Sequence, residues 1–262
     1  MDISCDFQPR FCKNTYYSAL KEKFDNIVRQ YNSYIRALME FDVITENNIR
    51  IGFGNAFSGR SGSQRWKSCK GSLYEYAVCR AIQEMIDRIH ELRQNVKIIH
   101  GLKLDSNEYR AYANQIIIRD WSDILPDTDF IVVDSNNIVR AIISCKTSLR
   151  ERLTETAFWK MEHKDRNIEY IFITTGTNRE ITLDTNRYII MHILDYTIIT
   201  EQNNLEGIIR IWKNKYGTHN DFEKLIFKIG GIVKLCEVLC NYINNEEERN
   251  KCKNKCLQFG HS

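Results

Sequence analysis

The sequence predicts an α/β (α+β) fold: a central mixed β-sheet flanked by helices, with helical N- and C-terminal regions. Three observations predict it. Short apolar runs rich in β-branched residues recur between about 96 and 193, with the length and composition of strands. A helix-length segment lies between the fourth and fifth of these runs, as a crossover between parallel strands requires. Segments of three-to-four apolar periodicity flank the whole on both sides. The 262 residues, 43% hydrophobic and 27% charged, suffice for one large core, and no linker divides them. The expected organisation is a single domain over 1–262: a helical N-terminal region with a basic loop (1–70), a core (71–200) and a helical C-terminal region (201–262). No basic-plus-apolar leader and no apolar run of about 18 residues is present, so a soluble cytoplasmic protein is expected.

The first helix is predicted over 16–41, where Leu20, Phe24, Ile27, Tyr31, Tyr34, Leu38 and Met39 share a face. From Asn47 to Tyr74 there is no acid, while Arg50, Arg60, Arg65, Lys67 and Lys70 all fall there. Gly52, Gly54, Gly59 and Gly62 argue for a loop. The net charge of +3 implies no nucleic acid by itself. This loop, with Phe53, Phe57 and Trp66 interleaved, is either a solvated surface or a phosphate-facing one. A second helix is predicted over 73–92. On it Glu75 stands on or beside the stripe of Cys79, Ile82 and Ile86. An inward carboxylate there needs a cation, a metal or a donor, and one at the stripe's edge reaches water.

Strands are predicted at 96–99, 115–118, 130–133, 138–143, 170–174 and 188–193, with helices at 149–164, 205–212 and 222–244. Between the third and fourth runs Asp134-Ser135-Asn136-Asn137 is a turn sequence. Symmetric pairing about it sets Val133 against Ile138, Asp129 against Ile142 and Asp127 against Ser144. Ser144 and Lys146 share a face. Asp127 then lies across from the first and diagonal to the second, at roughly 7–8 Å between neighbouring strands. A carboxylate and an ammonium surround one point.

Pro126-Asp127 followed by Ser144-Cys145-Lys146 resembles the signature of the PD-(D/E)xK nucleases, best known among type II restriction endonucleases. The resemblance spans about 75–175. It implies a restriction-endonuclease-like core and Mg²⁺-dependent cleavage of DNA phosphodiesters, with Asp127 as metal ligand and Lys146 as catalytic lysine. Carboxylates suit a hard ion that keeps some of its waters, and such an ion polarises phosphate and activates water. The family's second acid is replaced by Ser144, as in a subgroup that cuts sequences containing CCGG and takes this acid from further along the chain. The matching positions here, Trp159 and Lys160, are not acidic. Glu75 is the preferred substitute, because family members often carry a glutamate on a helix before the hairpin. Asp129, Glu155 and Glu162 are the other candidates.

Beyond Lys146, Ser148 and Glu151 form a capping box. Arg150 and Arg152 oppose the helix dipole unless an anion arrives. Arg150, Glu151 and Arg152 also resemble the subgroup's CCGG-reading cluster, so they read bases or form surface ion pairs. Arg60, Arg65 and Lys67 would contact phosphates. The implied enzyme is a type II restriction endonuclease acting on duplex DNA as a homodimer matched to a palindrome. A cognate DNA methyltransferase would belong to the same system. A repair or recombination nuclease of the superfamily and a non-catalytic DNA-binding protein are the alternatives.

Nine cysteines remain. Cys5, Cys12, Cys69, Cys79 and Cys145 are scattered and are expected to be small buried apolar groups. Cys236 and Cys240, like Cys252 and Cys256, are i, i+4 pairs on predicted helices, with His261 beyond. Packing against the body is expected, zinc is the alternative, and disulfides are least expected in a cytosolic chain. His100, His163 and His192 do not fall at metal-ligand spacing.

Overall fold

Phe130-Ile131-Val132-Val133 offers no polar side chain to either face, and such a strand is stable only with both faces covered. The computed structural model, which describes residues 5–9, 11–120, 123–147, 152–177 and 180–260, covers both. Helices α1 (Asn14–Tyr31), α2 (Tyr34–Met39) and α3 (Phe41–Val43) lead through a further helical stretch into α4 (Gly59–Arg88) and α5 (His90–Asn95). Then come β1 (Val96–His100), α6 (Arg110–Ile116), β2 (Ile118–Arg119), β3 (Asp123–Ile124), β4 (Phe130–Asp134) and β5 (Val139–Cys145). The second half holds α7 (Arg152–Glu162), β6 (Glu169–Thr174), α8 (Asp184–His192), β7 (Tyr196–Ile199), α9 (Gln202–Tyr216), α10 (Phe222–Lys228), β8 (Ile229–Gly230), α11 (Ile232–Asn241) and α12 (Glu246–Cys256).

The main sheet has six strands in the order β1-β4-β5-β6-β7-β8, antiparallel from β1 to β5 and parallel from there on. Alternation divides its side chains between two layers. Val132, Ala141, Ile143 and Ile171 pack with α1, α4 and α11, whereas Ile131, Ile142 and Phe172 pack with α7, α8 and α9. Each of the buried Val, Ile and Phe side chains among them contributes about 1.5–3 kcal/mol by leaving water. The mixed sheet between helices is the fold expected from the sequence. Among the described residues, no helix is long and apolar enough to cross a membrane.

Four expected elements differ. The basic stretch is not a loop: α4 begins at Gly59 and carries Arg60, Arg65, Lys67 and Lys70. Gly62 is needed inside it because a Cβ there would lie 2.6 Å from the Phe57 carbonyl carbon. The run at 188–193 belongs to α8, and the next apolar run, Tyr196–Ile199, is the strand. Of 115–118, Gln115 and Ile116 end α6, and Ile118 begins β2. The helix expected over 222–244 is broken by β8.

The cysteines also depart from expectation. Cys5 is joined to Cys79 and Cys12 to Cys69, fastening the segment before α1 along α4. Cys236 is joined to Cys256 and Cys240 to Cys252, so the tail cysteines pack in the core as expected but form the two disulfides that were least expected. The remaining thiol, Cys145, is buried.

The β4–β5 register is the difference that matters most. Asp134 Oδ1 accepts from the amides of Asn136 (2.9 Å) and Ile138 (3.0 Å), and Asn137 turns left-handed at φ 62°. That moves the pairing by one residue, so Val133 faces Val139. A bulge at Arg140 then moves it by one more, and Phe130 faces Ile143. The Asp129 amide donates to the Ile143 carbonyl at 3.2 Å. Asp129, not Asp127, therefore comes across from Ser144.

Candidate active site

Because β4 is antiparallel to both β1 and β5, three points meet at one end of the sheet: the end of β1, the start of β4 and the end of β5. His100, Asp129 and Lys146 stand there. The Gly101 amide donates to the Asp129 carbonyl at 2.8 Å, and a Cβ on Gly101 would lie 1.8 Å from the Thr128 carbonyl oxygen. Only glycine permits this approach, which fixes the backbone under Asp129.

Asp129 is buried, and its Oδ2 accepts from the Cys145 amide at 2.6 Å. Its Oδ1 accepts from Lys146 Nζ at 3.1 Å. Burial pushes its carboxyl up to about 6, and the charge of Glu75 adds to this. The Lys146 ammonium and the Cys145 amide pull the other way. Burial likewise raises the Cys145 thiol well above its ordinary value, which keeps that sulfur from acting as a nucleophile.

Glu75 arrives from α4 on the facing layer. Its Oε1 lies 2.7 Å from His100 Nε2, and its side chain is 19% exposed. This inward, partnered placement replaces the reading in which it reached water at the stripe's edge. His100 Nδ1 accepts from the Leu102 amide at 3.1 Å, so Nε2 carries the proton and donates to the carboxylate. Phe7 stacks on the imidazole at 4.1 Å between centroids, and Phe130 meets it edge-on at 5.2 Å. His100 escaped sequence reasoning because no local spacing marks it; only the pairing of β1 with β4 brings it to Glu75.

These groups line a cavity of about 780 Å³. Asp127, which is exposed, and Glu155 line it too. Glu162 is exposed on α7 and does not, and Ser144 is buried outside it. Phe7, Pro9 and Phe11 form a wall from the segment fastened by Cys5 and Cys12, and Trp159 of α7 adds another apolar surface. The acids lining the cavity, Glu75, Asp127, Asp129 and Glu155, offer carboxylate oxygens, the donor type that a hard divalent cation takes. Among the described residues, the one group of three or more candidate ligand atoms within 4.8 Å of one another is made of cysteines, so no three of the carboxylates gather that closely.

The basic residues expected to face phosphate divide. Arg50 pairs with Glu46, and Lys70 with Asp42 and Glu46. Arg65 donates to the Ala56 carbonyl and lies over Tyr16. Arg60 and Lys67 are exposed, and Lys67 lines the cavity. Arg150, Glu151 and the side chain of Arg152, the expected base readers, lie outside the described residues, as does His261.

Comparison with known proteins agrees with the resemblance carried by Pro126-Asp127 and Ser144-Cys145-Lys146. Residues 103–225 match the family described as BsaWI restriction endonuclease type 2. A probable type II restriction enzyme of Helicobacter pylori, HpyAORF263P, is 28% identical over 119 residues, covering 40% of this chain and 62% of that protein. The chain thus spans less than two thirds of that relative's length. The restriction endonuclease PspGI, solved with its substrate DNA, superposes with a TM-score of 0.54 at 14% identity, over 86% of this chain and 93% of the other. That likeness establishes a shared restriction-endonuclease fold. The family match includes Asp127, Asp129 and Lys146, and leaves out Glu75, His100 and the cysteine tail.

Proposed function

We propose that this chain is a type II restriction endonuclease that cuts duplex DNA at a specific sequence with the help of Mg²⁺. One observation carries the proposal: Asp129, Lys146, Glu75 and the histidine orienting it surround a single cavity at the end of a restriction-endonuclease sheet. The family match over the central part of the chain supports the same reading.

Asp129 and Glu75 would hold the ion, with Asp127 or Glu155 as further oxygen donors on the same wall. Mg²⁺, when bound, supplies Lewis-acid polarisation of the phosphate and a more acidic water. His100 keeps the Glu75 carboxylate turned into the cavity. Lys146 offsets the Asp129 charge and presents its ammonium where negative charge builds on the phosphate. Phe7, Pro9 and Trp159 exclude bulk water, which strengthens these charge interactions. Lys67, with Arg60 further along α4, would steer the DNA backbone. Arg150, Glu151 and Arg152 would read base edges, in keeping with a GC-containing palindrome such as one built on CCGG.

Cleavage of both strands of a palindrome calls for a homodimer, and survival of the host's DNA calls for a methyltransferase in the same bacterial or archaeal cytoplasm. The whole of 1–262 would act as one nuclease domain. Incubating sequenced plasmid DNA with the protein and Mg²⁺ tests the proposal. Discrete fragments whose ends share one short sequence support it; a smear points to a repair nuclease, and intact DNA with salt-sensitive binding to a non-catalytic DNA-binding protein.

A further inference from the structure

We infer that Phe7 is a positioning residue for the His100–Glu75 pair, carried on a strap ahead of α1 that two disulfides fasten to α4. The oxidation state of those disulfides then sets how firmly the site holds its divalent ion. The ion itself rests on the nuclease reading, whereas the positioning of His100 stands on geometry alone.

The strap, residues 5–9 and 11–12, belongs to no helix or strand. Among the described residues, no backbone hydrogen bond joins it to α4 or to the sheet. A segment without backbone pairing keeps the freedom of a loose chain unless something else removes it. Two covalent links do so, Cys5 to Cys79 and Cys12 to Cys69. Cys69, Ser72, Glu75 and Cys79 recur at three- and four-residue spacing, so they share one face of α4. The links are spaced along roughly 15 Å of that helix, and Glu75 lies between them. Phe7 lies between them on the strap.

Phe7 turns that placement into a contact with the site. Its ring stacks on His100 at 4.1 Å between centroids, and His100 bonds Glu75 through Nε2 and the Leu102 amide through Nδ1. Phe7 borders the catalytic cavity and also a second cavity of about 580 Å³, which it shares with Asp6, Tyr17 and Lys21. A ring between two open spaces is not held by packing alone. The strap decides where it stands. Asp6 pairs with Lys21, but that acid is exposed and the pair adds little. Cys12 stands two residues before α1, which packs on α4 in any case. Cys5 is the outer anchor, two residues from Phe7, so the Cys5–Cys79 link governs the ring. A dithiol attacks one sulfur of a link, the S–S bond breaks, and the dithiol leaves as a cyclic disulfide. The two cysteines take its two electrons and two protons and become thiols. Disulfides in a reducing cytoplasm are usually transient or redox-sensing, and these two flank an acid of the site.

The test is hydrogen exchange of the Leu102 amide, read by NMR on the metal-free full chain, together with binding of Mn²⁺ alone, read by electron paramagnetic resonance. Neither requires cleavage, so a chain that cuts no DNA overturns the nuclease reading and leaves this one to be judged by its own result. Phe7→Ala, which keeps every disulfide, is expected to speed Leu102 exchange and to weaken Mn²⁺ binding, each by about 10-fold, the low end for a partner that orients a ligand. Phe7→Tyr keeps the ring and should return both to near the parent's values. A dithiol should reproduce the Phe7→Ala effect in the parent and add nothing in Cys5→Ala, Cys12→Ala, whose strap is already released. Unchanged exchange and unchanged Mn²⁺ binding in Phe7→Ala overturn the inference, whether or not the cysteine variant folds. So does a dithiol effect of equal size in the parent and in the cysteine variant, which would trace it to the tail disulfides.

Discussion

Asp129 and Lys146 lie 17 residues apart in the chain, and their side chains meet at 3.1 Å across the open end of the hairpin. An Asx turn and a one-residue bulge create that meeting, each advancing the register by one. The acid of the Pro126-Asp127 pair remains two residues further out, exposed on the cavity wall.

Lys146→Ala removes the ammonium beside the buried carboxylate. Cleavage is expected to fall by about 10²–10³-fold, the usual cost of removing one group that stabilises charge developing in the transition state. DNA binding, measured by gel shift in Ca²⁺, should stay within a few-fold of the parent. Loss of binding to the same degree would instead assign Lys146 to DNA contact.

His100 acts through Glu75, so its removal should weaken cation binding rather than abolish turnover. His100→Ala is predicted to raise the Mg²⁺ concentration for half-maximal cleavage by about 10–100-fold, with the rate recovering at high Mg²⁺. In His100→Gln the side-chain amide can still donate to the carboxylate, and a smaller shift is expected.

Much of this arrangement was legible in the sequence. The two arms of the hairpin and the lysine closing one follow from apolar spacing, which left Glu75 either inward or at the stripe's edge. The register did not follow, because Asp134 can cap a turn or begin a strand, and the bulge at Arg140 leaves no compositional mark. The start of α4 was hidden for a related reason. Gly62 looks like a helix breaker, yet it answers a close contact with Phe57 that only the folded chain reveals. His100 and the cysteine pairings depend on long-range contacts to which local periodicity is blind.

Lys67 lines the cavity from α4 and is exposed, so it should touch phosphate without reading sequence. Lys67→Ala is expected to weaken binding equally on all duplexes and to reduce the slope of log affinity against log salt by about one. A change confined to one DNA sequence would show that it reads bases.

A separate pH dependence comes from Glu201, whose Oε1 accepts from the Asp42 amide at 2.6 Å. Burial and the Asp42 charge push its carboxyl from the ordinary 4.5 up to about 7. The folded state therefore holds this proton more tightly than the unfolded state does. Its contribution is fully present below about pH 4.5 and is lost as pH rises through about 7. Denaturant titrations should show Glu201→Gln, which keeps the acceptor, gaining stability relative to the parent as pH rises across this window. An unchanged difference would contradict the assignment.

The most direct test of the site is the cleavage rate of Asp129→Ala beside that of Asp127→Ala, each measured in single turnover on a DNA substrate that the parent cuts. Asp129→Ala is expected to lose cleavage to background while keeping its fold, and Asp127→Ala to retain measurable cleavage. Full cleavage by Asp129→Ala would show that the acid meeting Lys146 is not the one the chemistry uses.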